Sequence, residues 1–411
     1  LTHVAKRRHG VVIFIVYNDV FRRILRVFSM KLTGALIVAG VLGISSAVGF
    51  GQTAATDGPY KVLKAEKVGG EGGFDYIDCD PDTRHLYIVR SAQGRGGAGA
   101  GPQGRISVYD MDTLKLIGEI PDVNGGHGVA VDPKSGHAVS SSRPPVVFDT
   151  KTLAKIGTVD GVQGGPDGIL YEPFTQKVYI LSHSAPNVTV IDPVEGKVVG
   201  TIDLGGAPEE GCSDGKGHVY IDVESGDNVA VVDAKTMTCT GHYDLQGKGT
   251  GPAGLALDPD NGIIFCYCRP TVCVVMSAAD GKILDVLQTG SGVDAAEFNP
   301  ATKEAFSSHG GGSGTLTIIK ENSPTSFTVE QNVTTKAGAK CSTLDTKTGN
   351  IYLDTADRAA RGAAPAAAPV PGATQPAGDQ AGGGRRGGGR GGRGGATVPG
   401  SFTIIVVGKQ S

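Results

Sequence analysis

The feature that most constrains this chain is a segment of about forty residues, from Gly165-Pro166-Asp167-Gly168 to Leu204, that recurs in diluted form along its length. It contains Ile169-Leu170-Tyr171, Val178-Tyr179-Ile180-Leu181, Val188-Thr189-Val190-Ile191-Asp192 and Val198-Val199-Gly200-Thr201-Ile202, separated by turns at Glu172-Pro173 and Glu195-Gly196 and by one loop. Each run is β-branched or aromatic and is bounded by Gly, Pro, Asn or Asp, which is the composition of a strand. A meander of short strands cannot cover both of its own faces, whereas a ring of meanders can.

Aligning the copies on the turn after the first strand gives Asp80-Pro81, Asp132-Pro133, Glu172-Pro173, Asp214-Gly215, Asp258-Pro259, Asn299-Pro300 and Asp345-Thr346. The spacing is roughly forty to fifty residues, the period of a propeller blade. The expected fold is all-β: a seven-bladed β-propeller of four-stranded antiparallel blades across 60–411. Tyr60 to Val68 is a strand with no blade of its own, and Ser401 to Val407 is a third strand that lacks a fourth. The N-terminal strand is therefore expected to complete the last blade as its outermost strand and close the ring, removing two open edges.

Two insertions break the period, Ser91 to Gly104 in blade one and Asp357 to Gly400 in blade seven. Their Gly, Arg, Pro and Ala content does not supply a core, so both are expected to be flexible. Upstream, Met30-Lys31 precedes the apolar stretch Leu32 to Ile44 and then small residues, the layout of a secretory leader. Residues 30–55 are read as that leader and 1–29 as an extension upstream of the true start. The protein is then exported, periplasmic or extracellular, with no stable membrane span in the mature chain and a monomeric state.

Lys plus Arg at 38 against Asp plus Glu at 41 gives no overall field for nucleic acid or membrane. Seven Cys in an exported chain permit disulfides. A bridge from Cys268 to Cys273 across the hairpin at Arg269-Pro270-Thr271 stands beside the reading of these Cys as small core residues. No Cys-X-X-Cys-His occurs, which excludes covalent c-type haem.

The first strand of each blade lines the channel, so residues five positions before each anchor form a ring at one end, called here the top. They are Asp75, His127, Asp167, Glu209, Ala253, Asp294 and Lys340. The ends of the second strands, Arg90, Arg143, His183, Glu224, Arg269 and His309, reach the same rim. A pocket with acidic residues at its throat and basic residues at its rim is the candidate ligand site. Solvated loop charges and turn-capping carboxylates are the competing reading. No cofactor is firmly implied. Asp75, Asp167, Glu209 and Asp294 could together take a divalent cation such as Ca²⁺. His127, His183 and His309 are the candidate general bases, with no nucleophile at a recognisable spacing.

Asn187 to Asp192 with Lys197 to Ile202, Val219-Tyr220-Ile221 with Asn228 to Asp233, and the Gly-Pro-x-Gly starts resemble the YVTN-type propeller repeat of exported bacterial YncE-like proteins. That resemblance covers about 60–411 and implies a binding scaffold, with a small molecule, peptide or protein held at the top face. Single-stranded nucleic-acid binding is attributed to some such propellers, and the Gly382 to Gly395 tract of Gly and Arg is the feature here that would serve it. The architecture is also similar to that of seven-bladed lactonases, which keeps a lactonase-like or lyase-like hydrolase, with or without a divalent metal, as the alternative. Quinoprotein dehydrogenase propellers look Trp-rich, and this chain has Trp 0.

Overall fold

The computed structural model describes residues 57–92, 103–269, 271–359 and 397–410. The proposed leader and upstream extension, the interior of both insertions and the Gly-Arg tract lie outside them. Among the described residues no helix is long and apolar enough to cross a membrane.

The described residues form seven four-stranded antiparallel sheets. Six are local meanders, covering 73–121, 129–158, 166–203, 208–244, 252–288 and 293–334. The seventh is assembled from both ends of the chain. Ser342–Leu344, Ile351–Thr355 and Thr403–Lys409 supply its inner three strands, and Tyr60–Lys67 pairs antiparallel with Thr403–Lys409 as the outermost. The first strands of neighbouring blades pack on each other all the way round, blade seven against blade one included.

Each junction between blades holds its own apolar cluster, seven in all. The strand Ile263–Cys268 shows how one sequence serves two of them. Ile264, Cys266 and Cys268 face blade four, whereas Ile263, Phe265 and Tyr267 face blade six. Side chains alternate across a sheet, so a central strand covered on both sides reads as a continuous apolar run. The same parity bears on the disulfide expectation. Cys268 is opposite Val272 and Cys273 is opposite Tyr267, so the two thiols point to opposite faces, and all seven Cys are free.

In all seven copies the anchor side chain accepts a hydrogen bond from the backbone N–H two residues on, at 2.7 to 3.0 Å. The repeated Asp, Glu or Asn therefore stops the first strand and caps its turn.

Candidate functional site

Five of the seven ring positions sit inside a β-bulge at the start of the first strand. Register slips between Phe74 and Ile77, Pro166 and Ile169, Pro208 and Gly211, Pro252 and Gly254, and Val293 and Ala295. A bulge lifts a residue out of the ladder and re-aims its side chain. Here it turns Asp75, Asp167, Glu209 and Asp294 toward one mouth.

At that mouth eight side chains, drawn from all seven blades, form a closed circuit of alternating sign. His127 Nδ1 donates to Asp75 Oδ2 at 2.7 Å and lies 3.2 Å from Asp167. Asp167 is 3.9 Å from His183, whose Nδ1 is 2.8 Å from Glu209 Oε2. Arg269 Nη2 donates to Glu209 Oε1 at 2.6 Å and lies 3.5 Å from Asp294. Lys340 Nζ then bridges Asp294 and Asp75, 2.9 Å from the latter, and the circuit closes. Blade five has Ala253 at its ring position, and Arg269, which directly follows its second strand, takes that place. Glu224 braces Arg269 from outside at 3.2 Å.

The charges are set by the neighbours. Burial works to raise Asp75, but the His127 hydrogen bond and the Lys340 charge outweigh it and hold the carboxyl at about 2. The Glu209 contact lifts His183 to about 9, and His127 also rises because Asp75 and Asp167 overcome the effect of its burial. Burial lifts Asp167 to about 6 in spite of His127. His183 is thus a cation near neutral pH and is not a free general base there.

Other rim candidates are placed elsewhere. His309 is fully buried against Tyr267, and burial alone drives its pKa down to about 3. The expectation of His309 as a rim ligand or base is therefore corrected: its strand carries it into the junction between blades five and six. Arg90 is likewise drawn inward, 1% exposed, with its guanidinium 3.8 Å from the centre of the Phe402 ring. It donates to the carbonyls of Gly70 and Gly72 and leaves the circuit to Lys340. Arg143 is exposed and has no ion-pair partner among the described residues.

Three groups in this region have ligand atoms within 4.8 Å of one another: Asp75, Asp294 and Cys341; Asp75, His127 and Asp167; and Asp167, His183 and Glu209. Each mixes carboxylates with imidazole or thiol, a donor set that suits a borderline cation better than Ca²⁺, which takes oxygen ligands. Any metal ion would compete with Lys340 or with the imidazole protons for the same carboxylates.

Replacing Lys340 by Met should lower stability by about 2 kcal/mol, discounted for the partial exposure of the ammonium, because Asp294 loses its closest cation. Adding Asp294→Asn should recover part of that loss, a coupling that a double-mutant cycle of denaturant melts would measure. Additive effects would show that the contact has no energetic weight.

Below the circuit the channel widens into a cavity of about 350 Å³ that runs from Tyr76, Gly168 and Glu210 down to Pro259 and Pro300. None of the eight circuit residues lines it. The carboxyl groups of Asp78, Glu210 and Glu297 do. Sequence reasoning missed them, although Asp78 and Glu297 share one phase of the repeat, two residues before their anchors.

No protein-family model and no curated protein matches this sequence. Solved structures do match in shape. One is a chain of a mitotic checkpoint complex, at TM-score 0.59 and 12% identity, covering 79% of this chain and 95% of that one. Another is a chain of Kuenenia stuttgartiensis hydrazine synthase, at TM-score 0.56 and 16% identity, covering 68% and 92%. At these identities the likeness establishes the propeller fold.

Proposed function

We propose that this chain is an exported, YVTN-type binding propeller whose top mouth holds an acidic group of a small molecule, peptide or protein partner. The observation that carries this reading is the vertical sorting of the circuit. Its four basic side chains are 35 to 42% exposed, whereas its four carboxylates are 8 to 22% exposed. The basic groups therefore meet an incoming partner first, and the recessed carboxylates hold them in place. Arg269 offers a planar fork suited to a carboxylate or phosphate. Export rests on the leader-like stretch at 30–55.

The test is fluorescence anisotropy of a labelled oligo-glutamate peptide at two salt concentrations. Saturable binding that weakens with salt, and weakens about tenfold or more in Arg269→Gln, supports the reading. Equal binding by the variant overturns it. Fractionation of cells producing the tagged full chain tests export.

A hydrolase at the same mouth would need a neutral imidazole. Glu209 instead holds His183 as a cation near neutral pH, and Asp75 and Asp167 shift His127 in the same direction.

A further inference from the structure

The carboxylates of the upper circuit and those of the lower cavity are treated very differently by the protein. Every upper carboxylate has a basic partner within 4.0 Å. Asp78, Glu210 and Glu297 have none among the described residues. Asp78 Oδ2 accepts the Val129 N–H at 2.8 Å, and Glu210 accepts the N–H groups of Leu255 at 2.6 Å and Ala296 at 3.4 Å. These contacts fix the two carboxyls while leaving lone pairs free. The Glu297 carboxyl has no hydrogen-bond partner among the described residues, and the residue lines the cavity. Behind Glu210, the fully buried Asp222 accepts the Glu210 N–H through one oxygen and leaves the other without a partner. Three acids thus line one cavity with no basic side chain within 4.0 Å among the described residues, an arrangement that costs free energy unless protons or a cation enter.

The wall also carries the apolar side chains of Ile77, Ile169, Leu255, Leu257 and Phe298, beside Tyr76, Cys212, Ser213 and Ser342. Its volume of about 350 Å³ lies in the range of small-molecule sites. The spacing of its acids argues against a bare metal ion. Among the described residues, the three groups of donors close enough to share one ion lie at the mouth, and none contains Asp78, Glu210 or Glu297. A ligand that offers N–H donors to these carboxyls and lays a hydrocarbon body against the apolar side chains matches this lining.

We propose that this lower chamber is a second site, independent of the mouth, that takes an organic ammonium ion with a hydrocarbon body, its N–H groups donated to Asp78, Glu210 and Glu297. Burial holds Asp78 at about 7 and Asp222 and Glu297 at about 8, and raises Glu210 well above its ordinary value. Burial also pushes the other titratable groups on the wall, Tyr76 and Cys212, well above their ordinary values, which favours their neutral forms. A cation entering the chamber therefore displaces protons from the acids, and its affinity rises with pH.

Calorimetric titration of the full chain with 1,4-diaminobutane tests this, with 1-butanol and CaCl₂ as controls, at pH 6 and pH 8 in two buffers of different ionisation enthalpy. The expected result is saturable diamine binding at pH 8, at least tenfold weaker at pH 6, with proton release. 1-Butanol should bind at least tenfold more weakly than the diamine. Glu297→Gln should weaken diamine binding at least tenfold while its melting temperature at pH 8 is unchanged or higher, which separates a lost contact from a lost fold. The inference is overturned if 1-butanol binds as well as the diamine, if no protons are released, if Glu297→Gln binds normally, or if CaCl₂ binds and the diamine does not.

Discussion

Deletion of residues 58–67 is expected to lower the melting midpoint by about 10 °C or more and to make the protein self-associate. These residues form the outer strand of blade seven, paired from Tyr60 opposite Lys409 to Lys67 opposite Thr403. Without them the strand Thr403–Lys409 becomes an open edge with unpaired N–H and C=O groups. The strand is also pinned by a side chain. Tyr60 is 1% exposed, packs edge-on against Phe306 in blade six, and donates its hydroxyl to Glu304. Its backbone exchanges hydrogen bonds with the Gln331 side chain at 3.0 and 2.8 Å. Tyr60→Ala alone should therefore cost about 3–5 kcal/mol, the usual loss for truncating a buried aromatic side chain. Thermal melts with size-exclusion chromatography make the measurement, and an unchanged midpoint in the deletion would show that the ring does not depend on this closure.

Stability should also fall steeply as pH rises from about 5 to 9. Burial raises Asp78 from 3.8 to about 7, Asp222 from 3.8 to about 8, Glu297 from 4.5 to about 8 and Asp167 from 3.8 to about 6. Across that window the folded chain binds more protons than the unfolded chain, so raising the pH favours unfolding. His183 acts in the same direction. Its pKa rises from 6.5 to about 9, so its contribution is complete below 6.5 and is lost as pH climbs through about 9. Asp75, lowered from 3.8 to about 2, acts oppositely: its contribution is present above 3.8 and disappears as pH falls through about 2. Denaturant melts from pH 4 to 9 should thus show their maximum on the acid side, and Glu297→Gln should flatten part of the decline. A profile level from pH 5 to 9 would mean that these acids are already ionised in the folded protein.

Much of the architecture was legible in the residues themselves. The anchors from Asp80 to Asp345 recur because each caps the same turn, and the apolar runs recur because each blade is covered on both faces. The ring position, five residues before each anchor, was legible for the same reason. Six of its seven side chains do meet at one mouth, and the seventh, Ala253, is replaced by Arg269. Arg90 and His309 were misplaced because a count along a second strand does not reveal which end residues turn back into a blade junction. The acids of the lower chamber escaped notice because Asp78, Glu210 and Glu297 lie on three different blades and look like ordinary strand polar residues.

The sequence by itself determined the number of blades, the closure by the N-terminal strand and the ring positions of the first strands, because these follow from periodicity and turn chemistry, which are local. Only the tertiary structure decided which charges pair with one another and which acids are left without a partner. Those outcomes depend on β-bulges that re-aim single side chains and on distances between blades about forty or more residues apart in the chain.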